Sequence, residues 1–326
     1  MALIRINADG RTPRLHGAGQ GLEPTLRRVL ATPGPIAIMI HGFRFQPADP
    51  AHCPHHHILS LKDTAHRKAL SWPRHLGFDS QGVGIAFGWT ARGSLKQALK
   101  AALRASRALA ALIATLHRLA PHRPVHLIAH SMGGFLALRA LPHAPAGAVG
   151  RVILLNAAAF ERDAIRALAS PAGRRAELFN ISSRENAPYD YLFARLLRRR
   201  DRLLGRGLNA PNALTLRLDD RQTLDHLATL GFPIAPRRRM VCHWSTYLRP
   251  GVFPFYRSLI HEPARLPLAQ LQTLCRLTSS PRRLGFSLPL WPKPASWPSQ
   301  QEHAHDRTDQ PLLLAHPERM ESLHRP

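Results

Sequence analysis

Short, nearly unbroken apolar runs recur along the first part of the chain: PIAIMIH at 35–41, VGIAFGW at 83–89, VHLIAH at 125–130, VILLNAAA at 152–159 and ELFNISS at 177–183. Runs of this length, rich in β-branched residues and bounded by Pro or Gly, predict strands buried on both faces. Between the second and third runs the pattern changes. Leu95, Leu99, Leu103, Leu109, Leu112, Leu116 and Leu119 recur at helical spacing, with Lys96, Lys100 and Arg104 along another side, and Pro121 follows. That spacing predicts an amphipathic helix with a charged outer face. Strands alternating with helices predict an α/β fold: a mostly parallel central sheet, helices on both faces and right-handed crossovers. In such sheets ligands bind outside the carboxyl ends of the strands.

Two regions break the alternation. Residues 44–82 run for about 40 positions with many His and Pro, too long for an ordinary connection, and read as a cap or substrate-side loop. After His261 prolines accumulate in LPLWPKPASWP, and QQEHAHDRTDQ is polar. The expected organisation is therefore a domain over 1–261 and a Pro-rich, irregular tail over 262–326, disordered in part.

Charge adds a second theme. The 326 residues carry 45 Lys and Arg against 20 Asp and Glu, a formal net charge of +25. Arginines cluster at Arg198, Arg199, Arg200 and Arg202 and at Arg237, Arg238 and Arg239, without the interleaved aromatics of a base-stacking platform. Such a surface implies weak, salt-sensitive contact with an anionic membrane, and no specific nucleic acid. No apolar run approaches the roughly 20 residues of a membrane-spanning helix. The N-terminal segment lacks the apolar stretch of a signal peptide, so a cytoplasmic location is expected. Cys53, Cys242 and Cys275 are far apart and suggest neither a disulfide framework nor a zinc site.

The chemistry centres on VHLIAHSMGG at 125–134. A strand that ends at a serine and turns at once into a helix lifts the hydroxyl to the mouth of a site, provided that the residues two before and two after are small. Ala129 and Gly133 meet that need. AHSMG resembles the G-x-S-x-G elbow of the lipase and esterase branch of the α/β-hydrolase superfamily, with Ala129 in place of the first glycine. The resemblance covers about residues 30–260, and it implies an α/β-hydrolase fold with chain order nucleophile, acid, histidine.

On that order Ser131 is the nucleophile. His243, in MVCHWSTYLRPG, is the general base, with His226 as the alternative. The acid lies in SRENAPYD, either Glu185, which is nearer the strand end, or Asp190, which would otherwise cap the following helix. The resemblance also supplies an oxyanion hole from the N–H groups of Met132 and Phe43. His41, Gly42 and His130 are expected beside the substrate, with Trp72 and Trp89 as an apolar wall. His52, Cys53, His55, His56 and His57 form a dense cluster, but Pro54 interrupts it, and adjacent histidines cannot converge on one ion without partners from elsewhere. No metal and no other cofactor is therefore expected. The expected function is cleavage of a small-molecule or lipid carboxylic ester or thioester through an acyl-enzyme. The alternative is a non-catalytic protein on a hydrolase scaffold, holding an anionic membrane or nucleic acid through its basic surface.

Overall fold

The computed structural model describes residues 2–17, 21–62 and 69–279. The chain opens with a hairpin, β1 (Ala2–Asp9) and β2 (Thr12–Leu15), followed by α1 (Leu22–Leu30), β3 (Ile36–Ile40), α2 (Trp72–His75) and β4 (Val83–Gly88). Next come α3 (Leu95–Leu119), β5 (Val125–His130), α4 (Met132–Ala140), β6 (Val149–Leu155), α5 (Glu161–Leu168) and β7 (Glu177–Ser182). The last elements are α6 (Ala187–Leu196), β8 (Ala213–Arg217), α7 (Arg221–Thr229), α8 (Ser245–Leu248), α9 (Val252–His261) and α10 (Leu268–Ser279).

The strands form one sheet in the order β2-β1-β4-β3-β5-β6-β7-β8. The β1–β2 pair is antiparallel and every other pairing is parallel. All residues of β3, β4 and β5 are buried, as expected of strands covered on both faces. Successive side chains alternate between two cores. Ile36, Ile38 and Ile40 join the core under α1, α3, α4 and α5, whereas Ala37 and Met39 join the core under α2, α7, α8 and α9.

Helix α3 has the bounds that its sequence predicts and starts with a capping box between Ser94 and Gln97. Its buried stripe, however, begins with Ala98, Ala102 and Ala105, while Leu103 is exposed. Alanines let α3 lie close to α4, which follows the serine.

Three expectations need correction. The hairpin β1–β2 and strand β8 extend the sheet on both sides beyond the predicted strands. Trp72 and Trp89 are fully buried core residues rather than a substrate wall, Trp72 against Tyr247 and Trp89 stacked on His41. Residues 262–279 include a turn at Pro263–Arg265 and helix α10, with Leu266, Leu268 and Leu271 in the core. Arg151 on β6 fastens this segment. Its buried guanidinium binds Glu177 (2.7 Å) and donates to the carbonyls of Leu259, Pro263 and Leu266 (3.0, 3.1 and 2.7 Å). The irregular tail expected over 280–326 lies outside the described residues.

Candidate active site

The loops after β3, β5, β6 and β7 lie side by side at the carboxyl edge of the sheet, and Ser131 stands at the centre, between β5 and α4. Its backbone has φ 53° and ψ −123°, a conformation that a non-glycine residue holds only when its surroundings impose it. Leu155 O accepts from Ser131 N (3.0 Å), and Ser131 O accepts from Gly134 N (2.9 Å) and Ala158 N (3.0 Å), which fixes the turn. The small neighbours are required by contact. A Cβ at position 133 would stand 2.5 Å from His41 O, and one at position 42 would stand 3.0 Å from Ser131 Cβ. Gly42 thus brings the His41–Phe43 backbone against the serine. Met132 is the first residue of α4, so its N–H has no acceptor within the helix.

His243 reaches the serine from the segment between α7 and α8. Ser131 Oγ donates to His243 Nε2 at 2.9 Å, and His243 Nδ1–H donates to the side-chain oxygen of Asn186 at 2.6 Å. The amide nitrogen of Asn186 donates in turn to Asp190 Oδ1 at 3.0 Å. Because a carboxylate accepts but does not donate, Asp190 orients the amide with its oxygen toward His243. That orientation keeps the proton on Nδ1 and leaves the Nε2 lone pair for the serine.

The histidine's backbone is held as well. Asn156 Nδ2 and His130 Nε2 both donate to His243 O (3.0 and 3.1 Å), while Tyr189 stacks on the imidazole with ring centroids 4.6 Å apart. Burial, with the neighbouring His130, holds the His243 pKa well below the usual histidine range. Burial has the opposite effect on Asp190 and pushes its carboxyl up to about 7, against the lowering from the Asn186 hydrogen bond.

Neither carboxylate expected as the acid touches His243. Glu185 is buried in an ion pair with Arg249, accepts from Ser183 Oγ (2.8 Å), and its backbone oxygen accepts from Cys242 N (3.0 Å). An arginine 64 residues further on claims it, so the side chain turns away from the imidazole. Asp190 reaches His243 only through Asn186. The ring positions beside the serine also differ from the expectation. His41 is fully buried, accepts from Trp89 N through Nε2 (3.0 Å) and bonds Gly42 O through Nδ1 (2.8 Å). Its pKa is lowered to about 3, mainly by burial. His130, lowered to about 4 by burial, braces His243. Both rings therefore hold backbone and neither is presented to a substrate. His226 sits on α7 and makes no contact with Ser131 among those described. Asn186, Asn156 and Arg249 were missed from the sequence. The signal for Asn186 in the sequence is its place just beyond a strand end and immediately before the helical run that carries Asp190.

Residues 23–181, just under half of the chain, match the family described as alpha/beta hydrolase of unknown function, DUF900. With the parallel sheet, the elbow and the serine–histidine contact, that match decides the fold. The chain has the α/β-hydrolase fold. No curated protein matches it. Among solved structures, the chain is similar to the catalytic core domain of acetyl xylan esterase from Trichoderma reesei, at 15% identity and TM-score 0.28, over 39% of this chain and 65% of that one. It is also similar to phospholipase PlaB from Legionella pneumophila, at 13% identity and TM-score 0.27, over 48% of this chain and 41% of that one. Both matches span less than two thirds of those chains, and at these scores the overlap does not speak to chemistry. Among the described residues, no helix is long and apolar enough to cross a membrane.

Proposed function

We propose that this α/β hydrolase cleaves a carboxylic ester or thioester through an acyl-enzyme, with Ser131 as nucleophile, His243 as general base and Asn186, backed by Asp190, in the place of the acid. The single observation that carries the reading is the 2.9 Å contact between Ser131 Oγ and His243 Nε2, at a serine held at positive φ. As Oγ attacks the carbonyl carbon, Nε2 takes its proton. The negative charge on the carbonyl oxygen falls to the N–H groups of Met132 and Phe43. The imidazolium then protonates the departing alkoxide or thiolate, leaving the acyl group on Ser131. A water deprotonated by His243 attacks that acyl group, and Ser131 recovers its proton as the acid departs. Asn186 accepts from Nδ1–H throughout and supplies orientation. It brings no full charge to the imidazolium, and the Asp190 carboxylate acts at one remove.

Purified protein should release p-nitrophenol from acyl esters and react with a fluorophosphonate probe at Ser131, and Ser131→Ala should do neither. Equal labelling of wild type and variant would sink the assignment.

A specific observation favours a lipid ester at an anionic surface. On α6, next to Asn186, Tyr191, Leu192 and Leu196 are exposed at 62%, 48% and 50%, with Arg195, Arg198 and Arg200 exposed beside them. Apolar side chains flanked by cations suit a shallow seat in anionic headgroups. Binding to anionic vesicles should be weak and fall steeply with salt, while hydrolysis of a soluble ester survives the same salt. Tight, salt-resistant binding without esterase activity would favour a non-catalytic scaffold instead.

A further inference from the structure

The histidine-rich segment after β3 has no part in the serine chemistry. His52 Nδ1 is bonded to Asp49 (2.7 Å), and His55 is buried with Nε2 against Asn7 Oδ1 (2.7 Å). The fold brings a third participant from outside the segment. His16, just past β2, lies over His55 with ring centroids 4.4 Å apart and faces His56 edge-on at 6.3 Å. Ligand atoms of His16, Cys53 and His56 all lie within 4.8 Å of one another.

We propose that His16, Cys53 and His56 bind one divalent transition-metal ion of the zinc type, with water in the fourth position. Zinc takes tetrahedral sets of thiolate and imidazole with Zn–S near 2.3 Å and Zn–N near 2.0 Å, so neighbouring ligand atoms stand roughly 3.3–3.6 Å apart. Drawing the three atoms in from 4.8 Å needs side-chain rotation of about an ångström, which exposed His56 and half-buried His16 can supply.

Two features prepare the site. Cys53 is buried at the start of the short turn Pro54–His56, so the backbone fixes where its sulfur stands. Burial pushes the Cys53 thiol up, so the proton leaves as the metal binds rather than before, and buried Cys53 is the fixed corner of the set. The second feature is Asn7, whose amide lies 3.0 Å from His16 Nδ1. As placed, the Asn7 nitrogen donates to His16 and its oxygen accepts from His55; turned end for end on metal binding, the amide oxygen accepts from His16 Nδ1–H, leaving the Nε2 lone pair for a cation, and its nitrogen donates to His55 Nε2 in the Nδ1–H tautomer. The Asn7–His55 pair is packed against Gly88, where a Cβ would stand 2.6 Å from Asn7 Oδ1 and 2.8 Å from His55 Nε2. A thiolate with two neutral imidazoles selects zinc or cobalt over magnesium or calcium. Arg5 and Asp49 both act on the Cys53 sulfur from nearby, and their opposite charges offset each other in part. Such an ion would tie the β1–β2 hairpin to the start of the long excursion that follows Phe43.

The test uses full-length protein freed of metal by chelation and titrated with Co²⁺, then with Zn²⁺ as competitor. One equivalent of Co²⁺ should give thiolate-to-cobalt charge-transfer absorption with tetrahedral d–d bands, reversed by Zn²⁺. Cys53→Ala should lose the charge-transfer band. His56→Ala, a change at an exposed position that leaves the core intact, should weaken Co²⁺ binding more than about tenfold. Ser131→Ala should bind as wild type does, so the outcome stands apart from the esterase reading. Absence of any charge-transfer band in the wild type, its persistence in Cys53→Ala, or unchanged affinity in His56→Ala would each overturn the proposal.

Discussion

At the end of β5 the backbone sets the geometry: a positive-φ serine, a glycine pressed on His41 O and a second glycine pressed on the serine leave one arrangement. Beyond β7 side chains compete instead. Glu185, Asn186 and Asp190 lie within six residues, and the pairing of Glu185 with Arg249 decides which of them faces the histidine. The nucleophile side is therefore a matter of local sterics, and the acid side a matter of partners chosen across the sheet. The outcome is an amide where a carboxylate was expected, with the carboxylate one step behind.

The largest effect should come from the junction of the two sides. His243→Ala removes the base and should lower kcat by about 10³-fold or more. Asn186→Ala should follow, at roughly 10²-fold or more, because it frees the imidazole to take the wrong tautomer. If Asn186→Ala keeps full turnover of soluble ester, the amide does not orient the base.

Asp190→Asn sharpens the contrast through pH. With its carboxyl at about 7, Asp190 takes up a proton as pH falls through neutrality and loosens its hold on the Asn186 amide. His243, with its pKa well below the usual range, stays neutral there. Activity should therefore fall on the acid side with an apparent pKa near 7. Asp190→Asn should flatten that limb and cost about tenfold at its plateau. A limb that persists in the variant would assign it to another group.

Glu185→Gln is expected to act on stability rather than turnover. Removing one partner of a buried ion pair leaves Arg249 uncompensated and should cost about 3–5 kcal/mol, read as a lower denaturation midpoint. The kcat of the folded fraction should change less than with Asp190→Asn. A large loss of kcat at unchanged stability would return Glu185 to the acid role.

The smallest effect concerns the stability of the Asp190 variant. The folded pKa lies above the free value of 3.8, so ionisation of Asp190 costs stability as pH rises from about 4 to about 7. Asp190→Asn should be more stable than wild type above pH 7 and gain nothing near pH 4. Equal melting temperatures at both values would remove burial as the cause of the shift.

The same division governs what could be read in advance. Strands β3 to β7 and helix α3 follow from apolar period and from Pro and Gly punctuation, because burial on both faces leaves a plain mark. The contact between Ser131 and His243 could be anticipated because the elbow has fixed neighbours and the histidine a fixed place in chain order. Asn186 was not, since nothing local tells that Glu185 is claimed by Arg249. His16 was not foreseen beside the Cys53–His56 cluster for a related reason, since the β1–β2 hairpin carries it there from a distant part of the chain. Strand β8 was hidden because ALTLR is short and partly exposed, and α10 because prolines obscure its start.

The guanidinium on β6 has a consequence in time. Its three backbone acceptors lie 108 to 115 residues downstream of Arg151. At about 5–20 residues per second, a ribosome delivers them roughly 5–20 s after the strand itself. Through that interval the guanidinium has Glu177 as its ion partner but not the carbonyls that complete its buried shell. A premature stop soon after His261 would leave one arm of the buried guanidinium without its Pro263 and Leu266 acceptors, so residues 262–266 act as the last stone of the arch rather than as the start of a dispensable tail.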